Sequence, residues 1–150
     1  TTAFSGTLIT VLSSTITATS VAVTVNISGS ATTGLRNITI TNPDGGVRTL
    51  ANAFTVNVGP TVTSLSPASL ARGAAATTIT ITGTGFAAGM TVGFAGTGLT
   101  LGTVTFVSST TVRLTVAVAS TAATGLRGIT VVNSTDAGRF SSTTIGLTIT

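Results

Sequence analysis

Histidine, cysteine, lysine, glutamate, glutamine, tryptophan and tyrosine do not occur in this 150-residue sequence, and its side-chain charge is confined to six Arg and two Asp. Each absence removes a class of chemistry. Without His or Cys there is no Ser-His-Asp or Cys-His nucleophile and no His/Cys zinc or iron site. Without Lys there is no Schiff base and no phosphate-loop lysine. Two Asp cannot assemble a calcium cage, and sugar-binding platforms of exposed Trp or Tyr are impossible. The sequence therefore reads as non-enzymatic, with no catalytic residue, cofactor or metal ligand. Mean hydropathy is high at +0.68, but no apolar run approaches the ~18–20 residues of a membrane helix. No basic segment followed by an apolar core opens the chain, so no signal peptide is read, as in a mature chain that has shed one.

What remains is dominated by Thr (37) and Ser (15), with Val and Ile beside them and 18 Gly. β-Branched residues favour strands, and Gly and Ser supply turns. The composition predicts an all-β chain. The sequence pI of about 12.0 reflects only the surplus of Arg over Asp, a net charge of +4. Nucleic-acid binders gather their basic residues on one face, whereas here they are scattered at Arg36, Arg48, Arg72, Arg113, Arg127 and Arg139. No nucleic-acid partner is expected.

An internal repeat sets the architecture. Ser20–Asn42 aligns without gaps on Thr111–Asn133, with 11 of 23 positions identical. The shared heart is Ala31, Thr33, Gly34, Leu35, Arg36, Ile38 and Thr39, matched by Ala122, Thr124, Gly125, Leu126, Arg127, Ile129 and Thr130, an offset of 91. Carried downstream, that offset places Arg48 on Arg139, and Phe54 and Val56 on Ile145 and Leu147. Upstream, Phe4-Ser5-Gly6-Thr7 matches Phe94-Ala95-Gly96-Thr97 after a one-residue gap. The chain thus divides into a full repeat at 60–150, preceded at 1–59 by the later part of another.

Period-two alternation marks the strands. In the second repeat the inward sets are Ile79 and Ile81; Val92 and Phe94; Val104 and Phe106; Val112, Leu114, Val116 and Val118; Ile129 and Val131; and Ile145, Leu147 and Ile149. In the first they are Val21, Val23, Val25 and Ile27; Ile38 and Ile40; and Phe54, Val56 and Val58. Turns are expected at Gly83-Thr84-Gly85, Ala88-Gly89, Gly96-Thr97-Gly98 and Asn42-Pro43-Asp44-Gly45-Gly46. About seven short strands per repeat predict two packed antiparallel sheets.

Several of these stretches resemble the IPT/TIG family of immunoglobulin-like domains. Pro60-Thr-Val62-Thr-Ser64-Leu-Ser66-Pro67, followed by Gly73, is similar to that family's first strand. Ile81-Thr82-Gly83-Thr84-Gly85-Phe86 and Ala88-Gly89-Met90-Thr-Val92-Gly-Phe94 resemble its second and third. Phe106–Thr110 and the turn at 42–46 also fit. The resemblance covers nearly all of 60–150, while 4–58 match the family's later strands alone. It implies tandem immunoglobulin-like β-sandwiches, the first lacking its N-terminal strands, of a kind found in arrays on bacterial surface proteins. The shared motifs are structural, so they imply a fold and leave function open.

A sandwich without the counterpart of Pro60–Val92 exposes strand edges and an apolar face. In one reading the missing strands lie upstream in a longer tandem chain. In the other a neighbouring subunit donates them. The first is preferred, because the strand at Ile145–Ile149 that ends the sequence is needed by its own repeat. Soluble β proteins guard edges with charge, and this chain has little. The expected function is an extracellular, cell-surface structural role in a filament, sheath or stalk. The expected partners are copies of the chain in a homopolymer or neighbouring modules. The alternative is an adhesin or carbohydrate-binding accessory module.

Three sequons, beginning at Asn26, Asn37 and Asn133, fit N-glycosylation. In a chain so rich in hydroxyl residues this number is no enrichment, and Thr suits strands without any glycan. Arg36 with Arg127, and Arg48 with Arg139, recur at matched places and suggest an architectural role, either bridging modules or capping carbonyls. Asp44 and Asp136 fall in Gly-bearing turns, where Asp commonly bonds its own backbone two residues on.

Overall fold

The computed structural model describes residues 1–134 and 139–150. These are all-β, without a helix among the described residues. The chain divides into two compact units, Thr1–Asn57 and Val58–Thr150, a division two residues ahead of the one drawn from the repeat.

Among its described residues the Val58–Thr150 unit holds nine strands where about seven were expected: β6 (Thr61–Ser66), β7 (Ser69–Leu70), β8 (Thr77–Thr84), β9 (Thr91–Phe94), β10 (Leu99–Leu101), β11 (Thr105–Ser108), β12 (Thr111–Val118), β13 (Gly125–Val132) and β14 (Arg139–Ile149). One sheet runs β10-β12-β8-β6, with β11 also on β12. The other runs β7-β14-β13-β9. The chain changes sheets between β6 and β7, so β7 lies parallel to β14, an exception to the expected all-antiparallel pairing. Alternation holds where both faces matter most. Ile79, Ile81, Val112, Leu114, Val116, Val118, Ile129, Val131, Leu147 and Ile149 are all buried, while Thr78 and Thr82 face outward. Val62, Leu65, Leu70, Phe86 and Met90 complete that core, with Val92, Phe94 and Val104 packed against it.

Two expectations fail here for local reasons. Gly83 lies within β8 rather than in a turn, because a Cβ there would collide with the carbonyl oxygen of Thr61 on β6. Without a side chain at that position the two backbones come together, next to the register shift between Val62 and Ser64. Phe106 is 39% exposed. It sits on a short edge strand whose register with β12 shifts between Phe106 and Ser108.

The Thr1–Asn57 unit has β1 (Thr2–Phe4), β2 (Ile9–Ile16), β3 (Val21–Ile27), β4 (Gly34–Thr41) and β5 (Val47–Val56). They form a β1-β4-β5 sheet and a β2-β3 pair. Strand pairing identifies the equivalents. β1 pairs β4 through Phe4–Ile38, as β9 pairs β13 through Phe94–Ile129. β2 pairs β3 as β10 and β11 together pair β12: Ile9–Ile27 matches Leu99–Val118, and Ile16–Val21 matches Phe106–Val112. No counterpart of β6, β7 or β8 is present in this unit.

The offset of 91 does not survive into the last strand. Gly34 pairs Val56 and Arg36 pairs Phe54, whereas Gly125 pairs Ile149 and Arg127 pairs Leu147. Val56 is therefore the counterpart of Ile149, and Phe54 that of Leu147; the pairings of Phe54 with Ile145 and Val56 with Leu147 are corrected by two residues. Val58 accordingly falls beyond β5 and is exposed. A slip of one residue already separates Arg48 from Arg139. Arg48 lies opposite Ile40, and the place opposite Val131, the counterpart of Ile40, is taken by Phe140.

Candidate functional site

Three features of the chain stand out, two of them built from polar side chains. The first is an arginine latch found in both units. Arg36 donates from Nη1 to the Leu35 carbonyl at 3.1 Å and from Nη2 to the Thr32 carbonyl. Arg127 donates from Nη2 to the Ala123 carbonyl at 2.6 Å. Each guanidinium lies over a glycine of positive φ, Gly6 (φ 90°) or Gly96 (φ 84°). A Cβ on Gly6 would stand 3.0 Å from Arg36 Nε, and one on Gly96 would collide with Arg127 Nη1. Glycine is thus required twice over, for its backbone conformation and for the room the arginine takes. Both arginines are half-buried, and each caps a carbonyl four residues back in its own unit, while its Nε is buried without a hydrogen-bond partner. Arg48 and Arg139 are exposed on their strands.

The second is an asparagine bracket in the Val58–Thr150 unit. Asn133 is the buried polar residue among the described ones, at 1% exposure. Its Oδ1 accepts from Ala87 N at 3.2 Å, and its Nδ2 donates to Gly85 O at 2.9 Å. One amide side chain so ties the end of β13 to the loop that joins β8 to β9. Both ends of that amide are bonded and shut away, so in the folded domain its nitrogen is not open to a glycan. Thr135 of its sequon and Asp136 lie outside the described residues. Asn26 stands on the exposed side of β3 opposite Thr10. Asn37 is half-buried, and its Oδ1 accepts from Asn52 N at 3.0 Å. Asp44 does what its turn suggests: its Oδ1 accepts from Gly46 N at 2.9 Å, inside a turn closed by Asn42 N to Gly46 O at 2.8 Å.

The third is a set of apolar side chains left in solvent at matched places. Ile16 and its counterpart Phe106 are both exposed, and so are Leu35 and Leu126. Leu126 also edges a shallow open depression of about 370 Å³ floored by Gly93 and Gly128, with Phe94, Ser142 and Thr143 around it. No charged side chain lines that depression. Sequence alternation places Leu35 and Leu126 opposite their strands' inward sets. It is their recurrence in both repeats that singles them out.

A β-sandwich whose chain changes sheets between β6 and β7, whose glycines sit at close approaches and whose polar side chains serve its own backbone is a structural domain first. A family model described as the IPT/TIG domain matches residues 60–146. The chain belongs to the IPT/TIG family. No curated protein matches it. The IPT/TIG match spans β6 through most of β14, and includes both the latch of Arg127 and the bracket of Asn133. IPT/TIG domains are non-catalytic immunoglobulin-like modules. Among the described residues no group of acidic residues could hold a metal ion, and no helix is long and apolar enough to cross a membrane.

Proposed function

We propose that this chain is an extracellular structural protein whose IPT/TIG-type modules pack into a filament, sheath or stalk. The observation that carries the reading is the recurrence of exposed apolar side chains, Ile16 with Phe106 and Leu35 with Leu126, on a surface nearly devoid of charge. Single exposed apolar residues are ordinary on soluble proteins. The same two places left apolar in both repeats suit a repeated contact between modules. Arg36 and Arg127 shape the modules from within, and Arg48 and Arg139 stand free to reach a neighbour. The chain itself performs no catalysis in this reading. The test is assembly of the purified full chain, followed by sedimentation and electron microscopy as concentration rises. Ordered polymers that disappear on Leu35→Lys together with Leu126→Lys support it. A chain that stays monomeric at high concentration overturns it. The other reading, an adhesin or carbohydrate-binding module, predicts saturable binding on a glycan array in the absence of polymers.

A further inference from the structure

The open depression of about 370 Å³ on the Val58–Thr150 unit has two glycines in its lining, and they are there for different reasons. Gly128 precedes the buried Ile129, and Gly93 falls between Val92 and Phe94, which pack against the core, so both face outward. A Cβ on Gly128 would collide with the Ser142 carbonyl oxygen, so the close approach of two strands requires glycine. A Cβ on Gly93 would meet nothing within 4 Å, and its φ is not positive. Neither packing nor backbone conformation calls for glycine at 93, and glycine inside a strand weakens it. The first unit carries a side chain at this place: Ala3 lies opposite Thr39 as Gly93 lies opposite Thr130. What Gly93 does is leave the depression unfilled.

The chain also leaves one aromatic ring in solvent. Phe86 is buried, Phe94 and Phe140 pack against the core, and Phe4 meets Phe54 edge to face at 5.2 Å between ring centroids. Phe106 is exposed, with exposed Val107 beside it. It belongs to an edge strand of the other sheet and does not line the depression, so no copy fills its own. We propose that Phe106 of one copy docks in the depression over Gly93 of a second copy. The depression has no charged lining, so an apolar ring enters it without stripping water from a charge. Leu126, exposed in the free chain, becomes the rim against the ring. The two surfaces differ, so the contact is heterologous and repeats head to tail instead of closing into a symmetric pair. One aromatic side chain buries about 150–250 Å², far below the roughly 800 Å² per partner of a stable isolated complex. A single contact is therefore weak, and repetition along an assembly is what holds it. This inference rests on the proposed assembly and names its contact, and the experiment separates failure of the two.

The experiment compares three full chains by sedimentation as concentration rises. One is unaltered. One carries Gly93→Val, which fills the depression. The third carries Phe106→Ser together with Ile16→Ser, so that the matched apolar residue cannot stand in for the ring. All three changes fall where they disturb no packed atoms, and amide exchange at Ile129 checks that each chain is folded. The unaltered chain should polymerise. Gly93→Val should weaken association about tenfold or more, the loss expected when an aromatic ring is denied its burial, and the serine chain should weaken alike. Mixed one to one, the two variants should form pairs and go no further, because the Gly93→Val chain still carries Phe106 and the serine chain still carries an open depression. Polymers as strong from either variant alone overturn this contact and leave the proposed assembly standing. Absence of pairs in the mixture also overturns it, since the two changes would then act at unrelated places. An unaltered chain that never associates overturns the contact and the assembly together.

Discussion

Val116 is shut away from solvent, while Val25, at the same place in the first unit, is half-exposed; Ile129 and Ile38 differ in the same way, as do Val131 and Ile40. These pairs share residue type or shape, strand and partner strand. What differs is the cover. In the Val58–Thr150 unit Val62, Leu65, Leu70, Ile79, Ile81, Phe86 and Met90 all precede β9 in the sequence, and all are buried. The Thr1–Asn57 unit has no residues in those roles, and Val56 is its one fully buried large apolar side chain. An alternating strand thus supplies half of an interior. Burial, and with it about 25 cal/mol per Å² of apolar surface removed from water, comes when a second layer closes over it.

The contrast predicts unequal responses to equal changes. Leu114→Ala removes a side chain from the middle of the closed core and should destabilise the Val58–Thr150 unit by about 3–5 kcal/mol, since the cavity cannot collapse against two packed sheets. Val23→Ala, at the matched place on β3, should cost under about 1 kcal/mol, because water already reaches that strand. Amide exchange at Ile129 and at Ile38 reports the two units separately. Equal losses would mean that the first unit is covered as well as the second.

The asparagine pair gives the next largest contrast. Asn133→Ala leaves the Ala87 N–H and the Gly85 carbonyl without their partner in a part-buried loop, and should cost about 2–4 kcal/mol. Asn42→Ala should change stability by less than about 0.5 kcal/mol. Chemical denaturation of the full chain, followed by exchange in each unit, measures both. A large effect at Asn42 would show that its amide is already engaged.

Much of this was readable before any coordinates. The Val112-to-Val118 run and its echo at Val21–Ile27 announce strands through alternation alone, and the repeat places Arg36 on Arg127 correctly. The failures share a cause. Gly83 reads as a turn glycine because Gly-Thr-Gly is a turn signal, yet its role depends on Thr61, distant in sequence. Phe106 fits a period of two, but it sits on a short edge strand beside a register shift and is left exposed. The slip along β14, one residue at Arg139 and two by Leu147, is invisible to a gapless comparison, since Arg48 and Arg139 are identical in type although pairing assigns them different places. Asn133 matches a glycan sequon by its neighbours, and only tertiary structure shows both ends of its amide occupied. Local pattern reports a residue's own strand; contacts across strands decide what it does.

The arginine latches should behave alike where the cores do not, because each is completed inside its own unit by a carbonyl four residues back and a glycine beneath it. Arg127→Ala should cost about 1 kcal/mol, the net value of one hydrogen bond to a charged donor together with lost packing on Gly96. Arg36→Ala should cost about the same in the first unit, measured by the same exchange. A loss confined to Arg127 would tie the latch to the closed core instead of to the β9–β10 type of turn.

The smallest expected effect concerns the turn of the open unit. Asp44 accepts from the Gly46 amide in an exposed turn, where water replaces a lost acceptor at little cost. Asp44→Ala should therefore lower the stability of the β4–β5 hairpin by about 0.5 kcal/mol. Asp44→Asn keeps an acceptor oxygen in place and should restore most of it. Exchange at the Gly46 amide reads the bond directly: faster in the Ala variant, near its original rate in the Asn variant. If both variants exchange alike, the carboxylate charge rather than the hydrogen bond holds the turn, and the first unit would depend on its scarce charges more than its packing suggests.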